Sequence, residues 1–228
     1  MILEVSNVTK KFGGVTAIKD TSFTVNSKEI FGLIGPNGAG KTTMFNIITG
    51  NYEPTEGSIK FHGQIINGIK PYKIVHRGIA RTFQNIRLFN SMTVLDNILI
   101  GFDYQATYTY IESIFRLPRF FKEEKRIKQR AIEIMEILDI AQYADELSTS
   151  LSYGQQRKVE IARALAANPQ LLLLDEPAAG MNSEETEDIA RFIIDIHEEM
   201  KKTVILVDHD MNMVMDIAEE VMVLNFGE

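Results

Sequence analysis

Residues 35–43 read Gly35-Pro36-Asn37-Gly38-Ala39-Gly40-Lys41-Thr42-Thr43. The stretch fits the phosphate-binding pattern G-x-x-x-x-G-K-[ST], with Gly35, Gly40, Lys41 and Thr42 on its fixed positions. Glycines let a backbone turn sharply and aim several N–H groups at one anion. A helix that follows adds the partial positive charge of its N-terminus. Lys41 would reach the terminal phosphates of a bound nucleotide, and the Thr42 hydroxyl would ligate Mg²⁺. The flanks suit this reading. Residues 29–34 are apolar enough for a short buried strand, and residues 44–50 read as a helix closed by Gly50. The alternative is a glycine-rich turn that matches by chance, and the strand-loop-helix context argues against it.

Downstream, Leu171-Leu172-Leu173-Leu174-Asp175-Glu176-Pro177 is an apolar run ending in two carboxylates. Such a run reads as a central parallel strand buried on both faces. Acids at the carboxyl end of such a strand sit where α/β sheets bind ligands. Asp175 would hold Mg²⁺ through water, and Glu176 would act as general base toward the attacking water. Alone, the run reads equally well as a strand with an acidic turn.

Leu151-Ser152-Tyr153-Gly154-Gln155-Gln156 lies between these two elements. Ser152 suits a helix N-cap, Gly154 permits close backbone approach, and the helix start offers N–H groups to an anion. Here the chain resembles the ATP-binding cassette (ABC) ATPases, over essentially its whole length. Their signature is usually written LSGGQ, so Tyr153 replaces the first glycine. The resemblance implies an α/β fold. It has a P-loop ATPase core, an N-terminal antiparallel β subdomain and an inserted α-helical subdomain. It implies ATP and Mg²⁺ as ligands, and Leu151, Ser152, Tyr153, Gly154 and Gln155 meeting the γ-phosphate bound on a second cassette.

The remaining family positions carry over singly. Phe12, 29 residues before Lys41, matches the aromatic that stacks on adenine, with core packing as its alternative. Gln84 matches the glutamine that touches Mg²⁺ and the attacking water, against a solvated loop glutamine. His209, after the β-branched run 203–207, matches the histidine that touches the γ-phosphate. His62, His76 and His197 are expected at the surface. The family usually places an aspartate in the loop after Glu176-Pro177; this chain has Asn182 near that place, which keeps a hydrogen-bonding side chain without the charge.

Composition is consistent with this reading. The 228 residues suit one or two domains, and 45% hydrophobic content is ordinary for a packed core. No run approaches the about 18 apolar residues that span a bilayer, and the start lacks the pattern of a signal peptide. There are no cysteines, so disulfides and thiolate zinc sites are excluded, in line with a reducing cytoplasm. A net charge of −7 argues against generic nucleic-acid binding. Residues 1–32 alternate as antiparallel strands do, and 58–61 lead into a hairpin. Residues 86–160 read as mostly helical, with 131–138 spaced for a packed helix. The expected division is a core of 1–85 with 161–228 and a helical signature subdomain of 86–160.

Three longer stretches, residues 78–89, 151–157 and 175–182, resemble the ATPases of branched-chain amino-acid importers. So does the helical stretch 103–128. That resemblance implies a polytopic membrane permease and a second cassette as partners, a solute-binding protein acting indirectly, no nucleic acid, and a place on the inner face of the cell membrane. Urea and amide importers share much of the wording, and a lipid or drug exporter would share every catalytic residue. Chromosome-maintenance ABC ATPases fit poorly, since 67 residues separate Gln84 from Leu151 and carry no sustained heptads. Translation-type members carry two cassettes, and this chain holds one. A basic stretch, Arg116 to Arg130, interleaves Phe115, Phe120 and Phe121. It reads either as a membrane or permease contact or as a solvated helix face. Residues 84–93 are expected to dock the permease.

Overall fold

The computed structural model describes residues 1–105 and 107–228, with backbone only at Tyr104, Tyr110 and Ile111. Along the chain run β1 (Leu3–Phe12), β2 (Val15–Val25), β3 (Ile30–Ile34), α1 (Lys41–Ile48), β4 (Glu56–Phe61), β5 (Gln64–Ile65), α2 (Pro71–His76) and β6 (Ile79–Arg81). Then follow α3 (Val94–Leu99), α4 (Tyr110–Ile114), α5 (Pro118–Ile137), α6 (Tyr153–Ala166), β7 (Leu171–Asp175), α7 (Ser183–Glu198), β8 (Thr203–Val207), α8 (Met211–Ile217) and β9 (Glu220–Val223). The chain forms two compact units, Met1–Gln84 with Pro169–Glu228, and Asn85–Asn168.

The first unit holds both sheets. One is antiparallel in the order β2-β1-β4-β5, and the other is parallel in the order β6-β7-β8-β3-β9. Alternation sets the first: Leu3 and Val5 are buried and pair with Val25 and Phe23. The second shows the other pattern. Every residue of β3, β7 and β8 is buried, as in parallel strands covered on both faces. Leu171 through Leu174 are wholly inaccessible, and burying each side chain contributes about 1.5–3 kcal/mol. Because these strands run parallel, Arg81, Asp175, Val207 and Ile34 end them on one edge of the sheet. Ligands gather at such an edge.

The second unit is helical. Helix α5 buries Ile127, Ala131, Ile134 and Met135, the helical spacing of one apolar face. Regular helix covers less of it than the sequence suggests. Residues 86–93 form no helix, and between α5 and α6 there are only single turns at Ala141–Tyr143 and Ser148–Ser150. The stretch 103–128 is broken as well, though Ala106 within it lies outside the described residues. After α4 the chain turns at Arg116, whose φ is +47°, and α5 restarts at Pro118. Proline lacks the N–H that a helix interior uses, so it serves as the first residue of a new helix. Helix α6 passes through residue 160, where the sequence put the return to the core, and ends at Ala166.

His62 and His76 are exposed, whereas His197 is not the surface residue expected. Its side chain is 19% exposed, with Nδ1 3.2 Å from the Lys202 carbonyl and Nε2 3.4 Å from Glu219. The apolar face of α7 carries it inward beside Ile193 and Ile196.

Asn97 organises the irregular segment before α3. It is fully buried; its amide nitrogen lies 3.1 Å from the Phe89 carbonyl, 3.4 Å from that of Met92 and 2.9 Å from that of Thr93. Its oxygen accepts from the Phe89 N–H at 2.8 Å. An unsatisfied buried polar group costs about 1–3 kcal/mol. Asn97→Ala orphans more than one, so urea denaturation of the full chain should show a loss of about 2–3 kcal/mol. An unchanged midpoint would mean that the loop is not held by this side chain.

Candidate functional site

The loop after β3 depends on its glycines. Gly35 has φ +151°, and a Cβ there would lie 2.1 Å from the Leu224 carbonyl oxygen. Gly40, immediately before α1, has φ +105°; its Cβ would lie 2.6 Å from Ile18 Cδ1 and 2.7 Å from the Ala17 oxygen. Helix α1 then begins without a side-chain cap, so its first N–H groups point to an external acceptor. Lys41 is buried, and its Nζ folds over the loop to donate to the carbonyls of Gly35 at 2.6 Å and Pro36 at 3.1 Å. Thr42 is exposed.

Strand β7 delivers Glu176, which stands at φ +48°. A non-glycine residue in this left-handed region is strained, and such strain collects at functional sites. Its N–H donates to the Val207 carbonyl at 2.7 Å, and its Oε2 accepts from Gln84 Nε2 at 2.8 Å. Asn37, Gly38, Ala39, Gly40, Lys41, Thr42 and Thr43 line one cavity of about 280 Å³ together with Ala17, Gln84 and Glu176. Four segments well separated in sequence thus meet around one open space. An anion fits it: backbone donors and a lysine lie on one side, and a glutamine with a carboxylate on the other.

Asp175 and His209 do not line this cavity. Asp175 is buried, and its Oδ2 accepts from Arg81 Nη2 at 2.7 Å. Arg81 donates through Nη1 to Asn46 Oδ1 of α1 at 2.7 Å, and its guanidinium lies 5.4 Å from the Phe45 ring and 5.7 Å from that of Phe83. The His209 side chain is 63% exposed. The buried carboxylate beside it, Asp208, accepts from the N–H groups of His209 at 2.7 Å, Asp210 at 3.0 Å and Ala178 at 3.2 Å. Asp208 therefore ties the turn after β8 to the turn after β7. Sequence reasoning gave roles to neither Arg81 nor Asp208. A charged residue ending a short apolar strand was the available signal for Arg81.

Phe12 is exposed rather than packed in the core. Its ring meets Tyr52 edge-on at 5.1 Å, and Lys10 Nζ lies 5.0 Å from Phe12 and 5.7 Å from Tyr52. The alternation of β1 puts Lys10 and Phe12 on one face, but nothing local announced Tyr52.

Leu151, Ser152, Tyr153, Gly154 and Gln155 belong to the helical unit. Ser152 caps α6: its Oγ accepts from the Gln155 N–H at 3.3 Å while Gln155 Oε1 accepts from the Ser152 N–H at 3.0 Å. Gly154 is buried, and Tyr153 is half exposed with its hydroxyl 3.3 Å from Arg157 Nη2. Asn182 caps α7 in the same way, exchanging bonds of 3.0 and 3.1 Å with Glu185.

Comparison with known proteins agrees with this geometry. Residues 18–179 match the family described as ABC transporter. The chain is 41% identical over 226 residues to the high-affinity branched-chain amino acid transport ATP-binding protein BraF of Pseudomonas aeruginosa, covering 99% of this chain and 89% of the relative. It is 37% identical to the corresponding protein LivG of Escherichia coli K12, with the same coverage. Among solved structures it is 34% identical to the ADP conformation of MJ1267, an ATP-binding cassette of an ABC transporter. The TM-score is 0.86, covering 99% of this chain and 88% of that one. The dimeric structure of MJ0796, a bacterial ABC transporter cassette, is 30% identical with a TM-score of 0.80, covering 100% and 96%. The chain belongs to the ABC transporter family, and it is an ATP-hydrolysing cassette.

Two substitutions test the site. Gly40→Ala should weaken ATP binding at least about tenfold, read with a fluorescent nucleotide, because its Cβ must displace backbone. Wild-type affinity would show that the loop tolerates a side chain there. Arg81→Met leaves Asp175 buried and unpaired, which should cost about 3–5 kcal/mol in chemical denaturation. A loss below about 1 kcal/mol would mean that solvent reaches the carboxylate.

Proposed function

We propose that this chain powers an importer of branched-chain amino acids by hydrolysing ATP between two cassettes. The observation that carries the ATP chemistry is the cavity where Lys41, Thr42, Gln84 and Glu176 converge. In this reading Lys41 leaves the Gly35 and Pro36 carbonyls for the β- and γ-phosphates, and the N–H groups of residues 38–43 cradle them. Phe12 stacks on the adenine, with Lys10 and Tyr52 flanking it. Glu176, held by Gln84, takes the proton from the attacking water, and His209 contacts the γ-phosphate. The oxygens of Thr42, Gln84 and, through water, Asp175 suit Mg²⁺, which would neutralise charge on the β- and γ-phosphate oxygens when bound.

The capped start of α6, from Ser152 to Gln155, would present N–H groups to the γ-phosphate of a partner cassette, making two composite sites head to tail. A related cassette 29% identical to this chain has been described as a dimer in a post-hydrolysis state with ADP and Pi. Among the described residues no helix is long and apolar enough to cross a membrane. Attachment to the inner face of the cell membrane would run through polytopic permease subunits, docked at residues 84–93, where Phe89 is exposed. The solute is read from the relatives. The branched-chain amino acid cassettes align over 89% of their length at up to 41% identity. The sulfate/thiosulfate import protein CysA of Pseudomonas syringae aligns over 65% of its length at 33%. The solute itself would meet the permease and a solute-binding protein, and no nucleic acid takes part.

Glu176→Gln removes the base while keeping the Gln84 contact possible. It should bind ATP, hydrolyse it at least about 100-fold more slowly and elute as a dimer in ATP on size-exclusion chromatography. A variant that binds ATP and stays monomeric at every concentration would contradict the two-cassette site.

A further inference from the structure

The helical unit carries a surface that ATP chemistry does not use. Residues 114–119 are all exposed. Ile114 is 75% exposed, Phe115 71%, Leu117 42% and, three residues into α5, Phe121 56%. Helix α5 already buries its Ile127, Ala131, Ile134 and Met135 stripe, so Phe121 belongs to its outer side. Phe120, by contrast, is half-buried and packs on the Tyr108 ring at 5.0 Å. Single exposed apolar residues need no explanation, but a cluster around one turn does.

Charge shows what covers it. Residues 112–130 hold seven Lys or Arg and three Glu, a net +4, inside a chain of net charge −7. All three acids are engaged within the unit. Glu112 accepts from the Thr109 N–H at 2.6 Å and lies 3.5 Å from Arg119, and Glu123 pairs with Arg126 at 2.5 Å. Glu124 accepts from the Tyr108 hydroxyl at 2.9 Å. The Thr109 N–H holds the Glu112 carboxyl below its ordinary range, and the Arg126 guanidinium does the same for Glu123. Both stay ionised at neutral pH and turned toward partners of their own. Arg116, Lys122 and Lys125 have no acidic partner among the described residues and are exposed. The basic side chains are left to face outward around the apolar tips.

We propose that the turn at residues 114–119 and the start of α5 lie on the anionic headgroup surface of a lipid bilayer. Arg116, Lys122 and Lys125 meet lipid phosphates, and Phe115 and Phe121 enter the boundary between headgroups and acyl chains. Charge complementarity favours this partner, since the exposed apolar tips lie within a stretch of net +4 in a chain of net −7. The contact would orient the helical unit at the membrane independently of the solute carried.

The test is co-sedimentation of the purified full chain with vesicles of phosphatidylcholine alone or with about 30% phosphatidylglycerol. Binding should require the anionic lipid and fall as salt rises from about 0.1 M to about 1 M. Lys122→Gln with Lys125→Gln should weaken it about 25-fold, at about fivefold per cation removed. Phe115→Ser with Phe121→Ser should abolish the part that survives high salt. ATP affinity, measured on the same samples, should stay at the wild-type value, which separates loss of the surface from loss of the fold. Equal binding to both vesicle types, or wild-type binding by both double variants, would overturn the proposal. Absence of vesicle binding combined with lost retention on washed native membranes would overturn it in favour of a protein partner. Because ATP binding is read separately, any of these failures leaves the ATPase reading standing.

Discussion

The ion pair between Arg81 and Asp175 joins the ends of two strands to the helix that follows the phosphate loop. Arg81 closes β6, Asp175 closes β7, and the second arm of the guanidinium reaches Asn46 on α1. Removing two charges from water costs several kcal/mol per ion, and an apolar replacement of similar volume is often neutral or stabilising. Arg81 Nε also lacks a hydrogen-bond partner among the described residues, which adds to the cost. Stability alone therefore gives little reason to keep the pair. Its effect is positional: it fixes a carboxylate at the carboxyl edge of the sheet, one residue before the strained Glu176.

The rest of the site follows from the same edge. Parallel strands set their carboxyl ends side by side, so the turns after β3, β7 and β8 emerge together. Gly35 and Gly40 let the first turn pass close to Leu224 and Ala17, Glu176 is held in a left-handed conformation in the second, and Asp208 laces the second to the third. These constraints concern backbone more than side chains. An alanine at Gly40 would therefore reach beyond its own contacts.

Much of this was legible in the sequence where the chemistry is local. The loop at 35–43 announces itself through its glycines, two of which hold positive φ with no room for a Cβ, and 171–175 reads as a buried strand because four leucines run together, as its five buried positions bear out. The cap at Ser152 follows from three residues' spacing. What stayed hidden depends on pairing across long stretches of chain. Arg81 and Asp175 are 94 residues apart, and Asp208 and Ala178 are 30 apart. The packing of Tyr52 on Phe12 likewise has no local signature. His197 departs from expectation because a histidine in a charged helix reads as exposed until the chain beyond it supplies Lys202 and Glu219. In the helical unit, apolar spacing identifies the second half of α5, whereas the break at Arg116 and Pro118 falls inside the stretch 103–128 that resemblance marks as helical.

The central claim is that this cassette drives a membrane permease. Affinity capture of the tagged chain from detergent-solubilised native membranes, with mass spectrometry of its companions, tests it most directly. The account predicts a polytopic permease together with a second cassette, the same or a related one. Recovery of only soluble or nucleic-acid-associated proteins, from membranes in which the chain is abundant, would contradict the transport role while leaving the ATPase intact.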